Sequence, residues 1–383
     1  MVIPGGIAEG KALFIEGDQI TRIAEADEVT TVPTIELEGL TLFPGFIDAH
    51  IHGAVGVDVL AASFEDLHLV ARFLAREGVT AWLPTFVPAS DVDYRRAVDS
   101  IVALIREQDG RPPGARVVGV HYEGPFVSEH QCGALQAKYF HTYANPSDLD
   151  QLPVPTGTNL ARMMTVAPEV DGGVELISEL NTRGWIVSIG HTRATVSVLD
   201  QAYAAGARHM THFMNATAPL HHRSPGPVGW GLANDGVTCD IIADGIHLDP
   251  FLLSLLLKVK KPDRLLLISD AIAAAGKGDG AYEIWGETIT VKDRRTSNPG
   301  GSIAGSAITM LDAVRMMRAL GATPCQIAQM TATNPASLLG MADCGSIEEG
   351  KRADLVALDD AGNVLLTIIG GRLAYQAQDL VQH

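Results

Sequence analysis

Short runs of consecutive apolar residues alternate with stretches of helical period along most of the chain. Strand-like runs precede His50 (TLFPGFIDAHIHG) and recur at 79–86, 116–122, 160–167, 185–190, 208–213, 237–243 and 264–269. Between them, 63–78 (SFEDLHLVARFLAREG) places Leu67, Val70, Ala71 and Leu74 on one helical face, with Ser63 as N-cap and Asp66 three residues on. Ser90 opens a second helix whose apolar face carries Tyr94, Ala97, Val98, Ile101, Leu104 and Ile105. Further helical runs fall at 174–183, 194–206, 250–260 and 307–320. Eight such strands, with helices between most neighbours, predict an α/β fold, and the number predicts a (β/α)8 TIM barrel. The two ends differ. Residues 1–45 and 345–383 hold short strand-like pieces and turn signals but little helix, so they are expected to pair as a small discontinuous β-sandwich beside a barrel at 46–344.

Composition narrows the partners. Hydrophobic residues make up 46% and charged residues 19%, which supports a large core. A net charge of −17 argues against nucleic acid as a partner, and no apolar run of spanning length points to a membrane. Four cysteines without C-x-x-C spacing read as thiols of a reducing compartment, so a cytoplasmic location is expected.

The chemistry gathers where strands end. His50 and His52 close the first strand, Glu123 the third, His191 the fifth, His212 the sixth and Asp270 the eighth. Each has an ordinary explanation taken singly: a polar loop end, a structural histidine, a rim carboxylate, a helix cap. In a parallel barrel, however, strand C-termini converge on one rim, so ligands spread over the sequence can share one centre. An open doubly wound sheet would not bring them together. Imidazole and carboxylate donors suit zinc or iron rather than magnesium or calcium. Lys138 is followed by no lysine until Lys258, so no carboxylated lysine on strand four can bridge two metals, and Glu123 is the available substitute.

The stretches PGFIDAHIHG, HYEGPF, GHT, THFMNA with HHRSPGPVG, IIADGIH, ISDA, IAGSAITM and GSIEEGKRADLV, in this order, resemble the N-acetylglucosamine-6-phosphate deacetylase family of the amidohydrolase superfamily. The resemblance implies a metal-dependent amide hydrolase that removes acetate from a small amino-sugar phosphate. It implies one or two divalent ions per chain and a homodimer. Carried over by motif, Glu123, His191 and His212 hold the principal metal, His50 and His52 a second, and Asp270 is the catalytic acid/base. Ala134, Asn215, Ala216, Arg223, His247 and the segment around Ile303 contact substrate. In so acidic a chain, Arg223 is also a sensible phosphate ligand on physical grounds.

Two departures stand out. Leu135 occupies a place where the family has a His or Gln at the phosphate end, so either Gln136 reaches in or the sugar specificity differs. The run after Asp270 (Ala271-Ile272-Ala273-Ala274-Ala275-Gly276) is more apolar than usual. The alternatives are deacetylation of another amino sugar, such as N-acetylgalactosamine 6-phosphate, another N-acyl amidohydrolase, and a non-catalytic sugar-phosphate sensor.

Overall fold

The computed structural model describes residues 1–27, 33–108, 113–157 and 159–378; parts of both expected sandwich segments, 28–32 and 379–383, lie outside them. Its centre is a barrel of eight parallel strands: β1 (Phe46–Ile51), β2 (Val79–Phe86), β3 (Gly119–Glu123), β4 (Ala161–Val166), β5 (Ile186–Ile189), β6 (His209–Met210), β7 (Thr238–Ile242) and β8 (Leu265–Ile268). Each pairs with its sequence neighbour from β1 to β8, as right-handed β/α crossovers require. The seam between β8 and β1 is closed by single contacts rather than a ladder. Asp270 N–H donates to the His50 carbonyl at 2.9 Å, and Ser269 donates through N (3.2 Å) and Oγ (2.6 Å) to the buried Asp48 carboxylate. Burial lifts that carboxyl to about 6, even with Ser269 holding it down.

Helices cover the barrel: α1 (Phe64–Arg76), α2 (Asp91–Glu107), α3 (Gly173–Thr182), α4 (Val196–Ala205), α5 (Gly226–Ala233), α6 (Pro250–Val259) and α7 (Met310–Ala319). Their starts follow the capping chemistry of the sequence. Ser63 and Asp66 form a capping box on α1, and the Ser90 side chain accepts from Asp93 N–H on α2. Between β3 and β4 the chain uses 3-10 turns instead of a helix.

Both termini build one antiparallel sheet, in the order 372–376, 364–369, 355–358, 41–44. Ile20, Leu42, Ile347, Leu355 and Leu366 share a small core separate from the barrel's, so neither end could bury its apolar face alone. A three-stranded antiparallel sheet (Gly280–Ile284, Glu287–Lys292, Arg295–Ser297) follows β8 and was not expected from the sequence. It rests on Ile272, Ala273 and Ala274, which accounts for the apolar run after Asp270.

Candidate metal centre and active site

The six side chains singled out at strand ends meet on the C-terminal rim, each at most 6% exposed. His50 lies inside β1 and His52 just beyond it, Glu123 is the last residue of β3, and His191, His212 and Asp270 each follow a strand by two residues. A bulge between Asp48 and Ile51 lets both β1 imidazoles turn inward, their Nε2 atoms 3.1 Å apart. Glu123 is the hub. Its Oε1 lies 2.9 Å from Nε2 of both His191 and His212, and its Oε2 lies 3.3 Å from His52 Nε2. Asp270 Oδ1 sits 3.4 and 3.2 Å from Nε2 of His50 and His52.

These residues fit a metal ion. Two triads, His50–His52–Glu123 and Glu123–His191–His212, each hold their donor atoms within 4.8 Å of one another, and they share Glu123. Two of the outer nitrogens are anchored, His191 Nδ1 at 2.8 Å from the Gln131 carbonyl and His52 Nδ1 at 3.1 Å from the Thr85 carbonyl, whereas those of His50 and His212 are buried without a partner. A carbonyl can only accept, so Nδ1 carries a hydrogen and Nε2 faces inward, where loss of its own proton leaves the lone pair a ligand histidine needs.

The electrostatics reflect six buried polar groups packed together. Burial would raise the Glu123 carboxyl, but His50, His191 and His212 together hold it well below the usual range. Burial would also strip His52 and His212 of their protons. Asp270 and Glu123 outweigh it at His52, pushed up to about 10, and Glu123 does so at His212, pushed up to about 9. Asp270 is raised by burial but lowered more by His50 and His52, so it is a carboxylate at neutral pH.

The backbone here is strained. His191 (φ 47°), His212 (φ 30°) and Asp270 (φ 49°) are all left-handed, as are Met214 (φ 75°) and Ala216 (φ 46°). Such positions cost on the order of 1–3 kcal/mol each and persist where surroundings hold them. For His212 the holder is visible: buried Asp240 on β7 accepts its backbone N–H through Oδ1 and meets His209 Nε2 at 3.0 Å through Oδ2. Beneath the cage, His121 stacks edge to face on His50 at 4.8 Å and bonds Thr165 Oγ1 at 2.8 Å.

The remaining sequence candidates are spread around the same rim. His247, after β7, is held through Nδ1 by Asp244 at 2.7 Å. Asn215 turns its amide onto the His212 carbonyl at 3.2 Å, and the Ala216 carbonyl accepts from Thr192 N–H. The Ile303 segment runs beside Asp270, whose carbonyl accepts from Ser306 N–H at 2.7 Å. Arg223 is not brought into the cage. It is exposed on the loop after β6, with Nη1 2.8 Å from His222 Nε2. Ala134 packs under the added hairpin, and Leu135 is buried. Gln136 does not reach in: its Nε2 donates to the Trp285 carbonyl at 2.5 Å.

Sequence reasoning missed the Asp240–His209 pair, His121, and Trp285 at the hairpin tip, which packs edge to face on His52 with ring centres 5.2 Å apart. The alternation of YEI and ETITVK around Trp285-Gly286 carries a hairpin signal. Nothing in the sequence says which residue the tip will touch.

Residues 41–374 match the profile of the Amidohydrolase family. The N-acetylglucosamine-6-phosphate deacetylase of Bacillus subtilis (strain 168) is 38% identical over 89% of this chain and 86% of its own. The N-acetylgalactosamine-6-phosphate deacetylase of Escherichia coli O157:H7 is 37% identical over 93% and 95%. Among solved structures, the N-acetylglucosamine-6-phosphate deacetylase of Pasteurella multocida superposes with a TM-score of 0.89 at 31% identity, covering 97% of each chain.

Proposed function

The chain belongs to the amidohydrolase family, and from that premise we propose that it hydrolyses the acetamide of N-acetylglucosamine 6-phosphate, giving glucosamine 6-phosphate and acetate. The observation that carries this reading is the convergence of four imidazoles and Glu123 beside an ionised Asp270 on one barrel rim.

Glu123, His191 and His212 are the residues to hold the principal ion, with His50, His52 and Glu123 available for a second. The donor set favours zinc or iron, one or two per chain. Such an ion supplies Lewis-acid polarisation of the amide carbonyl and acidifies water for attack. Asp270 accepts the proton of the attacking water and delivers it to the amide nitrogen as the C–N bond breaks, so that amine and acetate leave. His247, its Nδ1 held by Asp244, turns its other nitrogen to the substrate. Asn215, Ala216, Ala134 and the Ile303 segment line the sugar, and Arg223 meets the phosphate.

Arg223 being exposed fits a role completed in a homodimer. Phe251, Leu255 and Val259 form an exposed apolar stripe along α6, and Leu220 in the loop before Arg223 is exposed as well. A second copy of the chain is the occupant we assign to that face. We also assign the sandwich to 1–45 with 345–383, the barrel to 46–344, and the protein to the cytoplasm. Among the described residues no helix is long and apolar enough to cross a membrane.

The test is an acetate-release screen over N-acetylhexosamines with and without 6-phosphate, on metal-loaded wild type and Arg223→Ala. The reading expects a strong preference for phosphosugar that collapses in the variant, by about 2–4 kcal/mol in kcat/KM. Equal losses on both kinds of sugar would remove the phosphosugar assignment. The galactosamine epimer is a second reading, favoured by the near-equal identity to the Escherichia coli relative and by Leu135, which cannot donate a hydrogen bond. The same screen separates the epimers.

A further inference from the structure

Glu169 takes no part in the chemistry assigned above, yet both its carboxylate oxygens are engaged at the rim. It is half-buried in the turn Ala167-Pro168-Glu169-Val170, just past the end of β4. Its Oε2 accepts from Thr192 Oγ1 at 2.5 Å, and its Oε1 accepts from Arg193 N–H at 2.6 Å. Thr192 is fully buried and directly follows His191 of the ligand set. Hydrogen bonds to an ionised acceptor are stronger than neutral ones, so this carboxylate is a firm anchor. The turn that carries it is fixed as well. Pro168 locks its own φ, and Ala167 N–H donates to the Phe126 carbonyl in the loop after β3 at 2.9 Å. The Thr192 backbone in turn grips the loop after β6. Its N–H donates to the Ala216 carbonyl at 3.2 Å, and its carbonyl accepts from Ala218 N–H at 3.0 Å.

That loop needs holding from outside. Met214 (φ 75°) and Ala216 (φ 46°) are left-handed, a shape that persists only where the surroundings impose it. The Asn215 amide bonds only within its own loop, to the carbonyls of His212 and Phe213. Among the described residues, the two Thr192 bonds are the only hydrogen bonds that tie residues 214–218 to another segment. His191 differs, because it has anchors of its own. Its Nδ1 rests on the Gln131 carbonyl, and its carbonyl accepts from Ser128 N–H at 3.1 Å. Losing Glu169 therefore loosens the loop assigned to the sugar before it disturbs the metal ligand.

We propose that Glu169 is a positioning residue for substrate: through Thr192 it holds Asn215 and Ala216 in the shape that meets the sugar. This rests on the sugar-phosphate reading above. The experiment measures kcat and KM for N-acetylglucosamine 6-phosphate on metal-loaded wild type, Glu169→Ala, Thr192→Val and the double variant. Chelator-competition affinity and thermal unfolding are recorded for each. Glu169→Ala and Thr192→Val are each expected to raise KM about tenfold while kcat and metal affinity stay within about threefold, the signature of lost binding rather than lost chemistry. The double variant should be no worse than the weaker single by more than about threefold, because both remove one connection. Glu169→Gln keeps an acceptor for Arg193 N–H and a partner for the Thr192 hydroxyl, and Thr192→Ser keeps the hydroxyl, so both should return KM to within about threefold of wild type. These conservative variants also guard against a fold lost in Thr192→Val. The proposal is overturned by a KM unchanged in Glu169→Ala, by a lowered unfolding temperature or metal affinity with KM unchanged, by KM effects that multiply in the double variant, or by Thr192→Ser as impaired as Thr192→Val. Wild type that releases no acetate from any phosphosugar instead overturns the reading on which it rests, and the proposal with it.

Discussion

Glu123→Gln is the sharpest perturbation of the centre, because one carboxylate serves both triads. Glutamine preserves size and can still accept from an imidazole through Oε1, so the loss is one of charge rather than of packing. Zinc sites with four ligands bind with about 10–16 kcal/mol in all, or about 2.5–4 kcal/mol for each ligand. At about 1.4 kcal/mol per decade, the variant should bind its metal about 10²–10³-fold more weakly. Because Oε1 meets His191 and His212 while Oε2 meets His52, the loss should appear at every ion the chain holds. His52→Ala should weaken one ion and leave another in place. Chelator-competition titration gives the affinity, and elemental analysis after gel filtration gives the stoichiometry. A full complement in Glu123→Gln, with affinity within threefold of wild type, would refute the reasoning and remove Glu123 from the ligand set.

Three further outcomes are expected. Asp270→Asn should keep its metal yet lose about 10²-fold or more in kcat, the scale of a missing general base; turnover within a few-fold of wild type would end that role. Metal loading should release protons near neutral pH, since ligation needs neutral imidazoles whereas the metal-free chain holds His52 protonated up to about 10 and His212 up to about 9. Affinity should therefore rise with pH throughout the neutral range and level off above those values, and calorimetry in buffers of different ionisation enthalpy would show it; a pH-independent affinity would contradict it. Asp240→Leu should destabilise the fold by about 1–3 kcal/mol, by leaving the buried His212 N–H unpaired. It should also weaken metal binding about 10–100-fold by freeing that backbone; denaturation with unchanged metal affinity would make Asp240 structural only.

Much of the fold was legible in the residues because burial on two faces leaves a local trace. A strand inside a barrel is apolar throughout, as in VTAWLPTF, and a covering helix is apolar on one side, so run length and period identified both. Ser63 and Ser90 marked helix starts because a cap acts within three residues. The cage was legible for a different reason: parallel strands carry their ends to one rim, so residues that end apolar runs become neighbours whatever their separation in sequence. What only tertiary structure decided is set by contacts between distant segments. The left-handed turn of His212 depends on Asp240 from the next strand, and the inward aim of His191 on the carbonyl of Gln131. The apolar run after Asp270 took its meaning from the hairpin that rests on it, and Trp285 took its own from His52, more than two hundred residues earlier. No local pattern encodes such pairs, because each is selected by the shape the rest of the chain has already made.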